Sequence, residues 1–290
     1  MKQESKRKIS LTGSPLVSRR ARGSHGLLLN GDGSHRLLLS GDEGAHTSPY
    51  LVTKSSPRFA KVAFTLAEVL ITLGVIGVVA AMTLPTLIQN YKKHEVETKL
   101  AKFYTVMNQA VTRAEAVYGD KKEWGAIGNG FELDENGNPD RTKSIPKAWF
   151  DKYLKLYLNV ADEKTGIDGR VLLTFSDGTF ATISSNSIIF YVNKKYYKET
   201  VNQNGTGSVD ESGAGTTIFY FAMWPTWKAA TYHYNKGIEP YANTVTSIKE
   251  FKNASWGGCY NEKSPNQGLF CCKLIQLNGW KIPKDYPLKF

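Results

Sequence analysis

The chain has 290 residues, with 37 Lys or Arg, 26 Asp or Glu and five His, for a formal net charge of +11. That length holds one or two domains, and a positive charge of that size raises nucleic acid as a partner. The excess is unevenly placed: residues 1–63 carry eleven Lys or Arg against four Asp or Glu, leaving a mildly basic remainder of 26 against 22. Nucleic acid is therefore not indicated for the rest of the chain.

Residues 1–63 read as a basic, Ser- and Gly-rich leader, disordered and removed, or translated from a start upstream of the natural one. Two decapeptides repeat inside it, GSHGLLLNGD at 23–32 and GSHRLLLSGD at 33–42, but copies of this length fall short of the roughly 20 to 50 residues of stacking repeats. His25, His35 and His46 also lie here; a His tract can hold metal, yet composition favours a plain leader.

Next comes KVAFTLAEVLITLGVIGVVAAMTLP, Lys61 to Pro85. After Glu68 no charge appears until Lys92, enough for the about 20 helical residues that cross a hydrocarbon core of about 30 Å. An acid in such a run costs about 2.5–3.5 kcal/mol at mid-bilayer and less near the interface, so Glu68 asks for a reason. One ordinary reading is an anchor helix with a tolerated interfacial acid. Another is a secretory signal with its apolar core at Val69 to Val79 and a cut after Ala81; the long basic stretch before it and the apolar pattern beyond it count against that.

The residues Ala63, Phe64, Thr65, Leu66 and Glu68, with Pro85 further on, resemble the N-terminus of type IV prepilins and type II secretion pseudopilins. The resemblance implies a peptidase cut between Ala63 and Phe64, N-methylation of the new terminal Phe64, and a role in assembly for Glu68 as the fifth mature residue. Pro85 falls at mature position 22, where pilin helices often carry a proline that can kink the helix. The family usually has Gly before the cut, and this chain has Ala63. A carboxylate buried among packed helices needs a partner, since stripping it of water otherwise costs several kcal/mol; in the family that partner is the α-amino group of a neighbouring subunit.

Past Pro85, apolar residues recur at three- and four-residue intervals through Val96, Leu100, Phe103, Met107, Ala110, Val111, Ala114 and Val117. This is one face of an amphipathic helix, so a single helix is expected over 64–118, ended by Gly119. Residues 119–290 then read as a head domain. Lys147 to Val160 reads as a short helix on the head. Val171 to Ile183 reads as a hairpin through Asp177-Gly178, with further strands at Ser187 to Val192 and Thr216 to Met223. The fold class is α+β: a long N-terminal helix, membrane-spanning in its first half, packed on an antiparallel sheet. Pilin-like heads of the secretion branch resemble this arrangement in Asp177-Gly178, the Gly-rich Ser212 to Gly215 and Gly237-Ile238-Glu239-Pro240.

Candidate chemistry in the head is sparse. Glu132, Asp134, Asn136 and Asp140 take calcium-loop positions one, three, five and nine, but Lys143 stands where a bidentate Glu belongs; calcium is a weak candidate and an Asn-Gly turn the plainer one. No metal or other cofactor is otherwise implied. No nucleophile elbow, zinc-helix or phosphate-loop motif occurs, so an enzyme is not expected. Cys259, Cys271 and Cys272 fall in the last 35 residues. In an oxidising compartment Cys259 could bridge Cys271 or Cys272; three free thiols and metal ligation are the alternatives.

The resemblance implies a structural subunit of a type IV pilus or type II secretion pseudopilus. It would reside in a bacterial inner membrane as a single-pass protein with its head outside the cytoplasm. Its partners would be other pilin or pseudopilin subunits, a prepilin peptidase, the inner-membrane assembly platform and membrane lipid. Two other functions fit parts of the sequence: a membrane-anchored extracytoplasmic enzyme, and a minor pilin touching DNA or a surface through Trp224, Trp227, Tyr232, Tyr234, Lys228 and Lys236.

Overall fold

A computed structural model describes residues 64–201, 207–243, 245, 247–260 and 266–290. The leader, its repeat and histidines, and Ala63 on the upstream side of the expected cut lie outside these residues.

Helix α1 runs without a break over Leu66–Tyr118, 53 residues or about 80 Å at 1.5 Å per residue. Thr65 starts it by accepting a hydrogen bond from the Glu68 N–H, and Gly119 stops it with a φ of 79° while its N–H bonds Glu115 O at 3.0 Å. That left-handed backbone costs Gly least. Pro85 sits inside the helix.

The head follows in chain order. A hairpin, β1 (Phe131–Leu133) and β2 (Pro139–Ser144), leads into helix α2 (Ile145–Tyr153). Strands β3 (Asp162–Thr165), β4 (Val171–Thr174), β5 (Phe180–Ser184) and β6 (Ser187–Tyr191) come next, then a second small hairpin, β7 (Glu199–Val201) and β8 (Gly207–Val209). The chain closes with β9 (Ile218–Ala222), β10 (Glu239–Pro240) and helices α3 (Ile248–Asn253) and α4 (Cys271–Leu277). Six strands form one sheet in the order β10-β9-β6-β5-β4-β3, every neighbouring pair antiparallel. The layout is thus α+β, with the expected apolar helix and antiparallel sheet.

Turn chemistry fixes the register. Between β4 and β5, Gly178 takes a φ of 78° and Asp177 Oδ1 accepts from Thr179 N at 3.1 Å. Between β5 and β6 both turn residues, Ser185 and Asn186, have positive φ, the backbone of the two-residue turn that matches strand twist. The register places Ala181 beside Phe190 and Phe190 beside Phe219 on one face, Thr182 beside Ile189 and Ile189 beside Tyr220 on the other.

The first face packs on the second half of α1. Val96, Leu100, Phe103, Met107, Ala110, Val111 and Ala114 are all buried, and Phe103 meets Phe190 at 4.5 Å and Phe221 at 5.2 Å between ring centroids. Burying each such side chain stabilises by about 1.5–3 kcal/mol. The opposite face is covered too: Phe180, Tyr191, Ile218 and Tyr220 form a second core with Phe251, Leu269 and Phe270 from the C-terminal segment. A sheet buried on both faces needs strands that are apolar throughout, which is why β6 and β9 read SIIFY and IFYFA.

Candidate functional site

The two halves of α1 live in different surroundings. Its C-terminal half is the spine of the head; among the described residues, no position from Phe64 to Lys92 is buried. Phe64 is 79% exposed, and Leu66, Leu70, Ile71, Ile76, Met82 and Leu87 all stand in the open. Soluble proteins rarely expose contiguous apolar surface beyond a few hundred Å², and this helix is long and apolar enough to cross a membrane.

Glu68 sits in the first turn of that exposed half. Its Oε2 accepts from Thr65 N at 2.8 Å and from Thr65 Oγ1 at 3.0 Å, while Thr65 Oγ1 accepts from Glu68 N at 3.2 Å. This reciprocal capping box ties up donors that a helix start otherwise leaves unpaired. The Thr-x-x-Glu spacing gives Glu68 a local structural use besides any role in assembly. Phe64 and Pro85 bracket the segment, Phe64 just ahead of the cap and Pro85 near its far end, about 30 Å of helix away.

In the head, Cys259 and Cys271 form a disulfide with their Cα atoms 5.0 Å apart, and Cys272 is free and buried. Burial pushes the Cys272 thiol well above its ordinary range, which removes thiolate and makes it inert.

The four calcium candidates lie on the β1–β2 hairpin without converging. Asp134 Oδ1 accepts from Asn136 N at 2.9 Å and Asn138 N at 2.8 Å, closing the turn. Asp140 Oδ1 accepts from Thr142 Oγ1 at 2.6 Å, and its other oxygen lies 3.4 Å from Lys143 Nζ. Glu132 stands on β1 ahead of the turn. Among the described residues no group of three or more His, Cys, Asp or Glu gathers as a metal site.

One polar cluster in the head escaped the sequence reading. Glu239 on β10 is buried; its Oε1 accepts from Tyr104 Oη at 2.8 Å and its Oε2 from Gln276 Nε2 at 3.1 Å. Lys273 on α4, also buried, lies 3.7 Å from Glu239 and donates to Gln276 Oε1 at 2.6 Å. Burial draws its ammonium down to about 8, with the Glu239 carboxylate opposing. Nearby, Asn108 Nδ2 donates to Ile238 O at 2.7 Å and its Oδ1 accepts from Ile238 N at 3.1 Å. These bonds join α1, β10 and α4, and a buried charge of this kind is tolerated because its partners are in place. The signal available in sequence was faint: a lone Glu in Gly-Ile-Glu-Pro and a lone Lys after two cysteines.

The aromatic run of the head is also organised. Trp224 meets Trp227, His233 and Tyr241 at ring distances of 4.9, 4.7 and 5.2 Å. His233 is buried, its Nε2 accepts from Ala242 N at 3.2 Å, and burial, with Lys273 and Lys236 nearby, lowers it to about 4. Lys236 sits 5.8 Å from the Tyr232 ring.

Fold and surface together define an α+β protein whose N-terminal helix leaves a membrane-length apolar half uncovered. The chain belongs to a family of unknown function, DUF6613, whose model matches residues 86–290, from the residue after Pro85 to the end. No curated protein and no solved structure matches it.

Proposed function

We propose that this chain is a pilin-like or pseudopilin-like structural subunit, processed between Ala63 and Phe64 and assembled through the first half of α1. The observation that carries the reading is the split in that helix: residues 96–114 are consumed by the head, whereas the stretch from Phe64 to Tyr91 is apolar and uncovered. A lipid bilayer satisfies such a surface before assembly, and the same surface on neighbouring copies satisfies it in a filament. The subunit would wait in a bacterial inner membrane with its head outside the cytoplasm, where the Cys259–Cys271 bridge persists, and pass to the assembly platform after peptidase processing and methylation of Phe64.

In this reading Glu68 trades the Thr65 hydroxyl and N–H for the α-amino group of an adjacent subunit. The α-amino group gives the carboxylate a charged partner, while the Thr65 N–H and hydroxyl must turn to other acceptors.

Mass spectrometry of the protein recovered from membranes tests the processing step. A chain starting at N-methylated Phe64 is expected; a start at Met82 would mark signal-peptide cleavage and sink the reading. Glu68→Ala is expected to leave membrane insertion intact and to abolish the ladder of subunit cross-links. An unchanged ladder would assign Glu68 to the capping box alone.

A further inference from the structure

A cleft lies at the end of the head remote from the apolar half-helix. Lys102 pairs with Asp177 at 2.6 Å and Lys99 donates to Val192 O at 3.1 Å, fixing one end of the sheet beside the middle of α1. At the other end the β5–β6 turn meets the segment that follows α1: Asn186 Oδ1 accepts from Ile127 N at 2.6 Å and Asn186 O from Met223 N at 3.0 Å. Asn186, the stretch from Met223 to Trp227, and Lys121, Lys122, Gly125 and Ala126 line a half-open cleft of about 450 Å³ there, a volume suited to small ligands.

Its walls are set in advance. Trp224 is braced by His233 and Tyr241. Trp227 stands edge-on to Trp224 and keeps 41% of its surface exposed. A ring that large, left open beside polar groups, is the kind of surface that binding sites present.

Charge selects the ligand. Lys121 pairs with Glu115 at 2.8 Å and Lys122 with Asp120 at 3.1 Å, so both lysines that line the cleft already have carboxylate partners. A nucleic acid needs several cations free to take phosphates. What remains is an aromatic plate with uncharged hydrogen-bonding groups: the Thr226 hydroxyl, and the Asn186 amide, whose Oδ1 is taken and whose Nδ2 is left to donate. A ligand with an apolar C–H face and a rim of neutral hydroxyls matches that set.

We propose that this cleft binds a neutral oligosaccharide, one pyranose ring lying on Trp227 with its hydroxyls bonded to Thr226 and Asn186. The inference goes beyond the filament reading and stands whether or not the helix assembles.

The test uses the full chain in a detergent without a sugar headgroup, titrated with chito-oligosaccharide, cello-oligosaccharide and, as polyanion, oligothymidylate, followed by tryptophan emission. One of the neutral sugars is expected to give a saturable shift that is insensitive to salt between about 50 and 200 mM. Loss of the ring in Trp227→Ala should weaken it about tenfold, the upper range of a single aromatic contact, with Trp227→Phe intermediate and far-UV dichroism unchanged in both. No saturable response to either sugar, a response that survives Trp227→Ala, or preferential binding of oligothymidylate that fades with salt would each overturn the proposal.

Discussion

His233 shows how a single buried residue sets a pH limit on the head. The folded chain keeps the imidazole neutral down to about pH 4 because burial and the positive charges of Lys273 and Lys236 oppose protonation; its ordinary value is 6.5. Between those values the unfolded chain holds a proton that the folded chain refuses, so stability rises with pH across the window and is lost as pH falls through it. The full swing is roughly 3 kcal/mol at about 1.4 kcal/mol per unit. Denaturant midpoints measured from pH 7 to pH 4 should therefore fall, and His233→Gln should flatten that slope while lowering stability at pH 7, since the bond from Ala242 N is weakened. Asp177 acts in a separate range. Partial burial alone would raise its carboxyl, but hydrogen bonds from Lys102 and Thr179 overcome this and hold it at about 2. Its contribution is fully present above about pH 4 and is lost as pH falls from there to about 2. A profile of equal slope in the variant would remove His233 from the account.

At the scale of elements, the C-terminal staple joins two pieces with little regular structure of their own. The bridge closes a sequence separation of 12 and should stabilise by about 3 kcal/mol in the chain-entropy treatment. The double variant Cys259→Ala, Cys271→Ala should melt roughly 6 to 12 °C lower, with Cys272 still refractory to iodoacetamide until the chain unfolds; alkylation of Cys272 in the native wild-type protein would contradict its burial. Which cysteine pairs was not legible in the sequence. Cys271 and Cys272 are adjacent, and only α4 separates their directions, by about 100° around the helix axis. Helix α1 was legible from end to end, because its 3.6-residue spacing and Gly119 are local signals, and Asp177-Gly178 marked the β4–β5 turn for the same reason. The second core was not: Phe251 and Phe270 join Tyr191 and Tyr220 in one cluster across long stretches of chain without period, so no window of sequence shows it. Within the exposed half-helix, the apolar run was plain, while the capping use of Glu68 was hidden behind the resemblance that drew attention to it.

For the molecule as a whole, the division of α1 implies that the head does not depend on the apolar half for its stability. The first buried residue of the helix is Val96, and the bonds that tie helix to head start at Glu97 and Lys99: Ile282 N donates to Glu97 Oε1 at 2.8 Å, and Lys281 Nζ lies 2.9 Å from Glu97 Oε2. A chain beginning at Lys92 keeps all of these and loses only exposed apolar surface, whose removal costs the folded state almost nothing because the unfolded chain exposes it as well. Such a chain should be monomeric without detergent by light scattering. It should also melt cooperatively, within a few degrees of the full chain in detergent. The helix end it creates is not fixed by tertiary contacts, so amide exchange should be fast to about Glu95 and slow from Leu100 onward. Aggregation of the shortened chain, or a melting point lower by more than about 10 °C, which corresponds to several kcal/mol in a domain of this size, would mean that the segment from Phe64 to Tyr91 supports the head and that its uncovered apolar surface is not reserved for lipid and neighbouring subunits.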